Sequence, residues 1–87
     1  MERKKRQAKE LDPETIARIK QLGERITQLR KRNYSSHETF AYDFDFSRSQ
    51  YYRYEKGEDI QFSTLVRLLK AFDITLIDFF SEGFDGK

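Results

Sequence analysis

The sequence contains no cysteine, so it can form neither a disulfide framework nor a metal site built from thiolates. Its single histidine, His37, does not make a metal site without further ligands. The longest apolar cluster, residues 74–80, is interrupted by Thr75 and Asp78 and is far too short to span a membrane. No apolar run follows the basic N-terminus, so no signal peptide is predicted. The absence of cysteine fits a reducing cytosol.

No group of polar residues in the chain indicates catalysis. Asp43 and Asp45 are two residues apart and would not face each other on a helix. Glu58 and Asp59 fall in a predicted loop. Neither pair has a nucleophile, a metal cluster or a glycine-rich phosphate loop near it in the sequence. We therefore expect a protein that is not an enzyme and that uses no metal and no cofactor.

The length of 87 residues predicts one small domain with a compact core. The net charge of +2 hides an uneven distribution, because residues 1–32 carry +6 and residues 33–87 carry −4. A uniformly basic nucleic-acid binder is excluded by this split. A basic arm and a basic first helix on a mildly acidic body describe the chain better.

Three regions are expected along the chain: a basic flexible arm at 1–11, one helical domain at 12–82 and a short tail at 83–87. The arm has no apolar face, and either a solvated segment or a phosphate-binding arm explains its composition. Asp12 and Pro13 suit a helix start, and apolar residues then recur on one helix face as far as Leu29.

Four further helices are predicted after the first. Short helices at about 36–44 and 47–56 are followed by an amphipathic helix from Phe62 to Phe72 and by a final turn or two after Thr75. Ser35 or Ser36 can cap the second helix. Ser35 with Glu38 has the spacing of a capping box, and so does Ser47 with Gln50. Gly57 is a natural residue to end the third helix. The predicted fold class is therefore all-α.

The stretch from Phe40 to Gly57 holds more than half of the aromatic residues and allows more than one interpretation. Its first half alternates polar and aromatic residues, which is typical of a strand, and its tyrosines and arginines resemble a base-stacking surface. A strand needs a partner, however, and no other segment of the chain alternates. Two short helices joined by a turn at 43–46 explain the pattern better.

These elements, in this order, resemble the Cro and phage-repressor (XRE) family of DNA-binding domains from Leu22 to about Phe80. The family pattern is matched by Arg30, Ser36, Phe40-Ala41, Ser47-Arg48-Ser49 and Glu55-Lys56-Gly57. This chain departs from the pattern with His37 in place of a glutamine, Asp45 in place of the glycine of the turn, tyrosines at positions 51 and 54, and no proline after Gly57.

The resemblance implies a compact five-helix lambda-repressor-like domain with a central helix-turn-helix and a basic N-terminal extension. It also implies sequence-specific binding to double-stranded DNA by a small transcriptional regulator of the repressor kind, with helix 47–56 in the major groove. DNA contact is expected from His37, Ser47, Arg48, Ser49, Gln50, Tyr52, Arg53 and Lys56. Arg30 and Glu55 resemble the buried ion pair that joins the first helix to the recognition helix.

Each expected contact has its own chemistry. An arginine at position 48 or 53 can hold guanine O6 and N7, or it can remain a solvated surface residue. Tyr52 can stack on a sugar, touch a thymine methyl group or bind a phosphate. His37 either donates to a phosphate or is simply exposed at a helix start. Tyr51 and Tyr54 are expected in the core, with their hydroxyl groups at its edge.

The resemblance also implies partners and a location. A homodimer on a palindromic operator is expected, with the extended first helix or the C-terminal phenylalanines Phe79, Phe80 and Phe84 as candidate dimer surfaces. A bacterial, phage or mobile-element protein of this kind acts in the cytoplasm and on the nucleoid when bound. Two other functions stay open: an antitoxin-like or regulatory protein-interaction module, and RNA binding through the tyrosines and the basic arm.

Overall fold

The computed structural model describes residues 11–84, which form five α-helices and no strand. The helices are α1 (Pro13–Asn33), α2 (His37–Asp43), α3 (Arg48–Glu55), α4 (Phe62–Phe72) and α5 (Leu76–Phe79). The predicted all-α, five-helix domain is confirmed. The arm predicted at 1–11 lies outside the described residues except for Leu11, and so do residues 85–87 of the predicted tail.

Hydroxyl side chains start three of the five helices. The Ser47 hydroxyl accepts a hydrogen bond from the backbone N–H of Gln50 at 3.3 Å, and the Thr75 hydroxyl accepts one from the N–H of Asp78 at 3.1 Å. Each bond satisfies an N–H group that the first turn of a helix leaves unpaired. The sequence pattern therefore located the starts of α3 and α5.

Of the two serines expected at the start of α2, Ser36 is the cap, and the capping box of Ser35 with Glu38 does not form. The Ser36 hydroxyl, not that of Ser35, accepts from the N–H groups of Glu38 and Thr39. Since α2 begins at His37, Ser36 stands immediately before the first turn and Ser35 is too far back. At α1, Asp12 makes no capping bond to the backbone, and its carboxylate instead accepts from the Thr15 hydroxyl.

A tight turn at Asp45 joins α2 to α3. Asp45 has a φ of 63°, in the left-handed region that glycine usually occupies and that aspartate tolerates better than most residues. The backbone N–H of Phe46 donates to the carbonyl of Ala41 at 2.8 Å and closes the end of α2. The turn therefore forms without the glycine that the resembling family carries.

The aromatic residues of the α2–α3 region form the centre of the core. Phe40 is almost fully buried, and its ring lies 4.9–6.2 Å from the rings of five neighbours, measured between centroids. These neighbours are Tyr34, Phe44, Phe46, Tyr51 and Phe72. Leu29, Leu65 and Leu68 surround the aromatic group with buried aliphatic side chains. The alternating sequence pattern thus arises from a short helix and its turn.

Gly23 allows α1 to approach α3 closely. A Cβ atom at position 23 would lie 2.6 Å from the carbonyl oxygen of Tyr54 and 2.9 Å from that of Glu55. Real Cβ atoms do not come so near to backbone oxygens. The glycine inside α1 therefore serves a close helix contact.

The C-terminal phenylalanines do not form one exposed surface. Phe79 is fully buried in the core, so it is not available as a dimer contact, contrary to the expectation. Phe80 is exposed, and Phe84 packs against the rings of Phe79 and Phe80 at centroid distances of 6.0 Å and 5.0 Å. Phe84, expected in the tail, thus packs against the helical domain. Within the described region, every helix is too short or too polar to cross a membrane.

Candidate functional site

Helix α3 has one buried and one exposed face. Tyr51 and Tyr54 are buried in the core, as expected. Residues of the opposite face, together with the two residues that flank the helix, are exposed: Ser47, Arg48, Ser49, Gln50, Tyr52, Arg53 and Lys56. These are seven of the eight residues expected to contact DNA, and one continuous surface carries them all.

The eighth residue, His37, is the first residue of α2 and is half-buried. A shallow groove runs between the start of α2 and the exposed face of α3, and it is called the α2–α3 groove below. Its walls are formed by His37, Glu38, Arg48, Ser49 and Tyr52. The groove joins the α2 residue to the α3 residues, and Glu38 adds a carboxylate that was not among the expected contacts.

Two neighbours hold the ring of Tyr52 at the edge of this groove. The His37 ring lies 4.8 Å from the Tyr52 ring between centroids, and the Lys56 ammonium lies 5.2 Å from the centroid over the ring. A cation above an aromatic face is attracted by the ring quadrupole. Tyr52 is therefore an exposed aromatic residue with a restricted position.

Arg53 forms a surface ion pair with Glu58, and Arg53 Nε lies 2.9 Å from Glu58 Oε1. Both side chains are about half exposed, and such pairs contribute only about 0–1 kcal/mol to stability. Arg53 can therefore leave the Glu58 carboxylate for another acceptor at little cost. Ser49 and Gln50 occupy the first turn of α3, where the Ser49 hydroxyl lies 3.5 Å from the Ser47 hydroxyl.

The candidate recognition surface is anchored from behind by Arg30 and Glu55. Arg30 Nε and Nη2 each donate to one Glu55 carboxylate oxygen at 2.9 Å, so the pair is bidentate. Arg30 Nη1 also donates to the carbonyls of Tyr34 and Ser35. Both charged side chains are only 6% exposed. One guanidinium thus connects α1, the α1–α2 loop and the end of α3.

The electrostatics of this pair favour its charged form. Burial alone would raise the pKa of Glu55, but the hydrogen bonds and the positive charge of Arg30, together with the nearby Tyr51 hydroxyl, outweigh burial and lower it. The pKa of Arg30 is raised, chiefly by its hydrogen bonds to Glu55. Both partners therefore stay ionised at neutral pH.

The Tyr51 hydroxyl is buried beside the pair, not at the edge of the core as expected. Burial and the neighbouring Glu55 carboxylate raise the pKa of Tyr51. The hydroxyl makes no hydrogen bond of ordinary length to the described part of the chain, so its interaction with Glu55 is a longer polar contact.

Two arginines with structural roles were missed by the sequence reasoning. Arg25 is 3% exposed and donates to the carbonyls of Phe79 at 2.7 Å and Asp78 at 2.8 Å. The spacing Leu22, Arg25, Leu29 places Arg25 on the inner face of α1, and that spacing was the available signal. Arg67 lies 4.4 Å from the centroid of the Phe46 ring and donates to the Asp45 carbonyl at 3.4 Å, and no sequence motif indicated it.

No group of three or more metal-ligating side chains is found among residues 11–84. Residues 21–77, well over half of the chain, match the family model described as "Helix-turn-helix domain". Neither a curated protein nor a solved structure matches the chain significantly.

Proposed function

The chain belongs to the helix-turn-helix domain family, and we propose that it binds double-stranded DNA in a sequence-specific manner as a small transcriptional repressor. Helix α3 enters the major groove and α2 crosses the sugar–phosphate backbone. Occupation of a promoter site then blocks transcription. In this proposal the protein acts in the cytoplasm and on the nucleoid when bound.

One observation supports the proposal more than any other. The exposed face of α3 carries hydrogen-bonding side chains, and its buried face is fixed to α1 by Gly23 and by the Arg30–Glu55 pair. DNA recognition requires such a combination, because base contacts discriminate only when the helix that makes them is held at one angle. A helix whose polar face only contacts water does not need to be held at one angle.

The expected contacts divide by the DNA group that they suit. Arg48 and Arg53 can each hold the O6 and N7 atoms of a guanine, and Ser49 and Gln50 at the start of α3 can reach base edges. Ser47 and Lys56, at the two ends of the helix, suit phosphates. His37, at the start of α2, can donate to a phosphate beside the major groove of the DNA.

A single α3 spans a short site, so we propose that two copies bind a palindrome with half-sites about 34 Å apart. The surface assigned to the dimer is α5. Ile77 is 82% exposed there, with Leu76 and Phe80 beside it. Ile77→Glu is expected to give a folded monomer by analytical ultracentrifugation, and a variant that remains dimeric would exclude α5 as the interface.

The exposed apolar side chains of α5 also support the alternative, an antitoxin-like or regulatory module that binds another protein. Copurification distinguishes the two functions. A partner of different sequence that is held by the wild type and lost in Ile77→Glu, without selection of any DNA motif, would favour the interaction module.

The proposed function is tested by selection from random duplex DNA at about physiological salt, where non-specific phosphate binding is weak. Wild type is compared with Arg48→Ala/Arg53→Ala, and with Arg18→Ala/Lys70→Ala as a control that loses the same charge away from α3. We expect a palindromic motif with wild type and with the control, and none with the α3 variant. No enrichment by folded wild type, with single strands bound equally well, would overturn the proposal and favour RNA.

A further inference from the structure

Apart from His37, the α2–α3 groove has the chemistry of a surface that meets base edges and not phosphates. A surface that binds phosphates offers cationic or neutral hydrogen-bond donors, because each phosphate is an anionic acceptor. This groove combines the guanidinium of Arg48 with the carboxylate of Glu38 and the ring of Tyr52. A carboxylate repels phosphates, but it can accept a hydrogen bond from an exocyclic amino group of a base.

Tyr52 supplies the aromatic surface of this groove. The ring contacts His37 and Lys56, so part of its side-chain freedom is already restricted before a ligand arrives. In the major groove the apolar group that a base pair presents is the methyl group at C5 of a pyrimidine. A fixed aromatic ring on a recognition helix is suited to that methyl group.

Arg48 determines which base is recognised next to the methyl group. Arg48 and Tyr52 are one helical turn apart on the same face and line the same groove. Four residues advance about 6 Å along a helix, whereas base pairs are stacked about 3.4 Å apart. The two side chains therefore meet base pairs that are one or two steps apart.

We propose that Tyr52 reads the C5 methyl group of a pyrimidine one or two base pairs from a guanine that Arg48 holds through O6 and N7. The inference rests on the proposed function and adds part of the recognised sequence to it. Thymine and 5-methylcytosine present the same methyl group. The assignment is therefore to a C5-methylated pyrimidine, and the experiment distinguishes the two bases.

The test uses the selected operator with single-base replacements in one half-site. Each thymine is replaced in turn by uracil, which removes only the methyl group, and each cytosine by 5-methylcytosine, which adds only that group. Dissociation constants are measured by fluorescence anisotropy for wild type, Tyr52→Ala and Tyr52→Phe. Tyr42→Ala is the matched control, because Tyr42 is 83% exposed on α2 and does not line the groove.

Wild type is expected to lose about 4-fold in affinity when the contacted methyl group is removed, the value of one buried methyl group. Tyr52→Phe and Tyr42→Ala keep this difference, and Tyr52→Ala abolishes it. A loss of affinity when a thymine is replaced by uracil would identify thymine as the contacted base. A gain of affinity when a cytosine is replaced by 5-methylcytosine would identify methylated DNA as the ligand.

Two results overturn the inference, and they are distinguishable from failure of the proposed function. The first is a motif selected by wild type with no methyl-dependent position, and the second is a methyl effect that persists in Tyr52→Ala. If the folded chain selects no duplex at all, the proposed function fails and this inference fails with it.

Discussion

At the scale of single residues, the Arg30–Glu55 pair helps to fix the position of α3. Its bonds join three segments of the chain, and both charges are almost completely shielded from water. Removal of one partner from a buried pair leaves an uncompensated charge. The loss is therefore larger than the net value of the pair itself.

Arg30→Met is expected to lower the free energy of unfolding by about 3–5 kcal/mol, measured by urea denaturation. Arg18→Ala is the control, because it breaks the exposed Arg18–Glu14 ion pair on the same helix. This variant should lower the free energy of unfolding by less than about 1 kcal/mol. Equal losses in the two variants would show that the Arg30–Glu55 pair is not distinguished by its burial.

The lowered pKa of Glu55 predicts how stability depends on pH. The folded value lies below the ordinary value of 4.5, so the contribution of Glu55 is complete above about pH 4.5 and is lost as the pH falls through the folded pKa. The stability deficit of Glu55→Gln should therefore be largest near neutral pH and shrink below pH 4.5. A deficit that is constant from pH 7 to pH 3 would contradict the assignment.

Gly23→Ala should destabilise the protein, although the same change usually stabilises a helix. In a free helix this change stabilises by about 1 kcal/mol. Here the added Cβ meets the Tyr54 and Glu55 carbonyls, and overpacking of this kind costs about 1–3 kcal/mol. We expect a lower melting temperature and weaker DNA binding, because α1 and α3 must separate. A more stable variant would show that the helices tolerate the shift.

At the scale of the elements, the sequence predicted helices better than it predicted polar contacts. Ser47 and Thr75 identified helix starts because a cap is a local device, formed by residues three apart. Asp45, which stands where the resembling family has the glycine of its turn, adopts the left-handed conformation. The contact of Arg25 with Phe79 joins residues 54 apart in sequence, and no local pattern encodes such a partner.

The candidate site was predictable to a similar degree. The exposed residues of α3 follow from its helical period once Tyr51 and Tyr54 are placed inside. The burial of the Tyr51 hydroxyl and the place of Glu38 in the α2–α3 groove depend on how α2 packs against its neighbours. These features follow from tertiary packing and become visible only when the helices are assembled.

Arg25 is expected to fasten α5 to α1. α5 is a helix of 4 residues, too short to be stable alone. Arg25→Met removes donors from the Phe79 and Asp78 carbonyls and should lower stability by about 3 kcal/mol, since hydrogen bonds to charged groups contribute about 1.5–3 kcal/mol each. Arg25→Lys keeps the positive charge but not the planar guanidinium that donates to both carbonyls. The loss of stability in this variant should therefore be smaller than in Arg25→Met.

Hydrogen exchange checks this prediction element by element. In Arg25→Met the amides of residues 78–82 should lose protection before those of α3 do. A uniform loss across all helices would indicate that Arg25 supports the core as a whole and not α5 in particular.

At the scale of the whole molecule, the basic region 1–32 and the mildly acidic region 33–87 are expected to have separate roles in the proposed DNA binding. The matched family region begins at residue 21, whereas α1 begins at Pro13 and follows the basic segment 1–10. Charge placed outside the recognition helix changes affinity for every sequence equally, because phosphates carry no sequence information. Base preference should then depend on α3, and salt sensitivity should depend largely on the N-terminal segment.

Replacement of the five basic residues at positions 3, 4, 5, 6 and 9 by glutamine tests this division. The slope of log K against log salt changes by about 0.9 for each phosphate that the protein no longer neutralises, so it should become shallower by about 2–4 while the selected motif stays the same. Arg48→Ala/Arg53→Ala should instead abolish selection of the motif and change the slope by about 2 at most. An unchanged slope in the glutamine variant would show that the N-terminal segment is a solvated extension without a role at the phosphates.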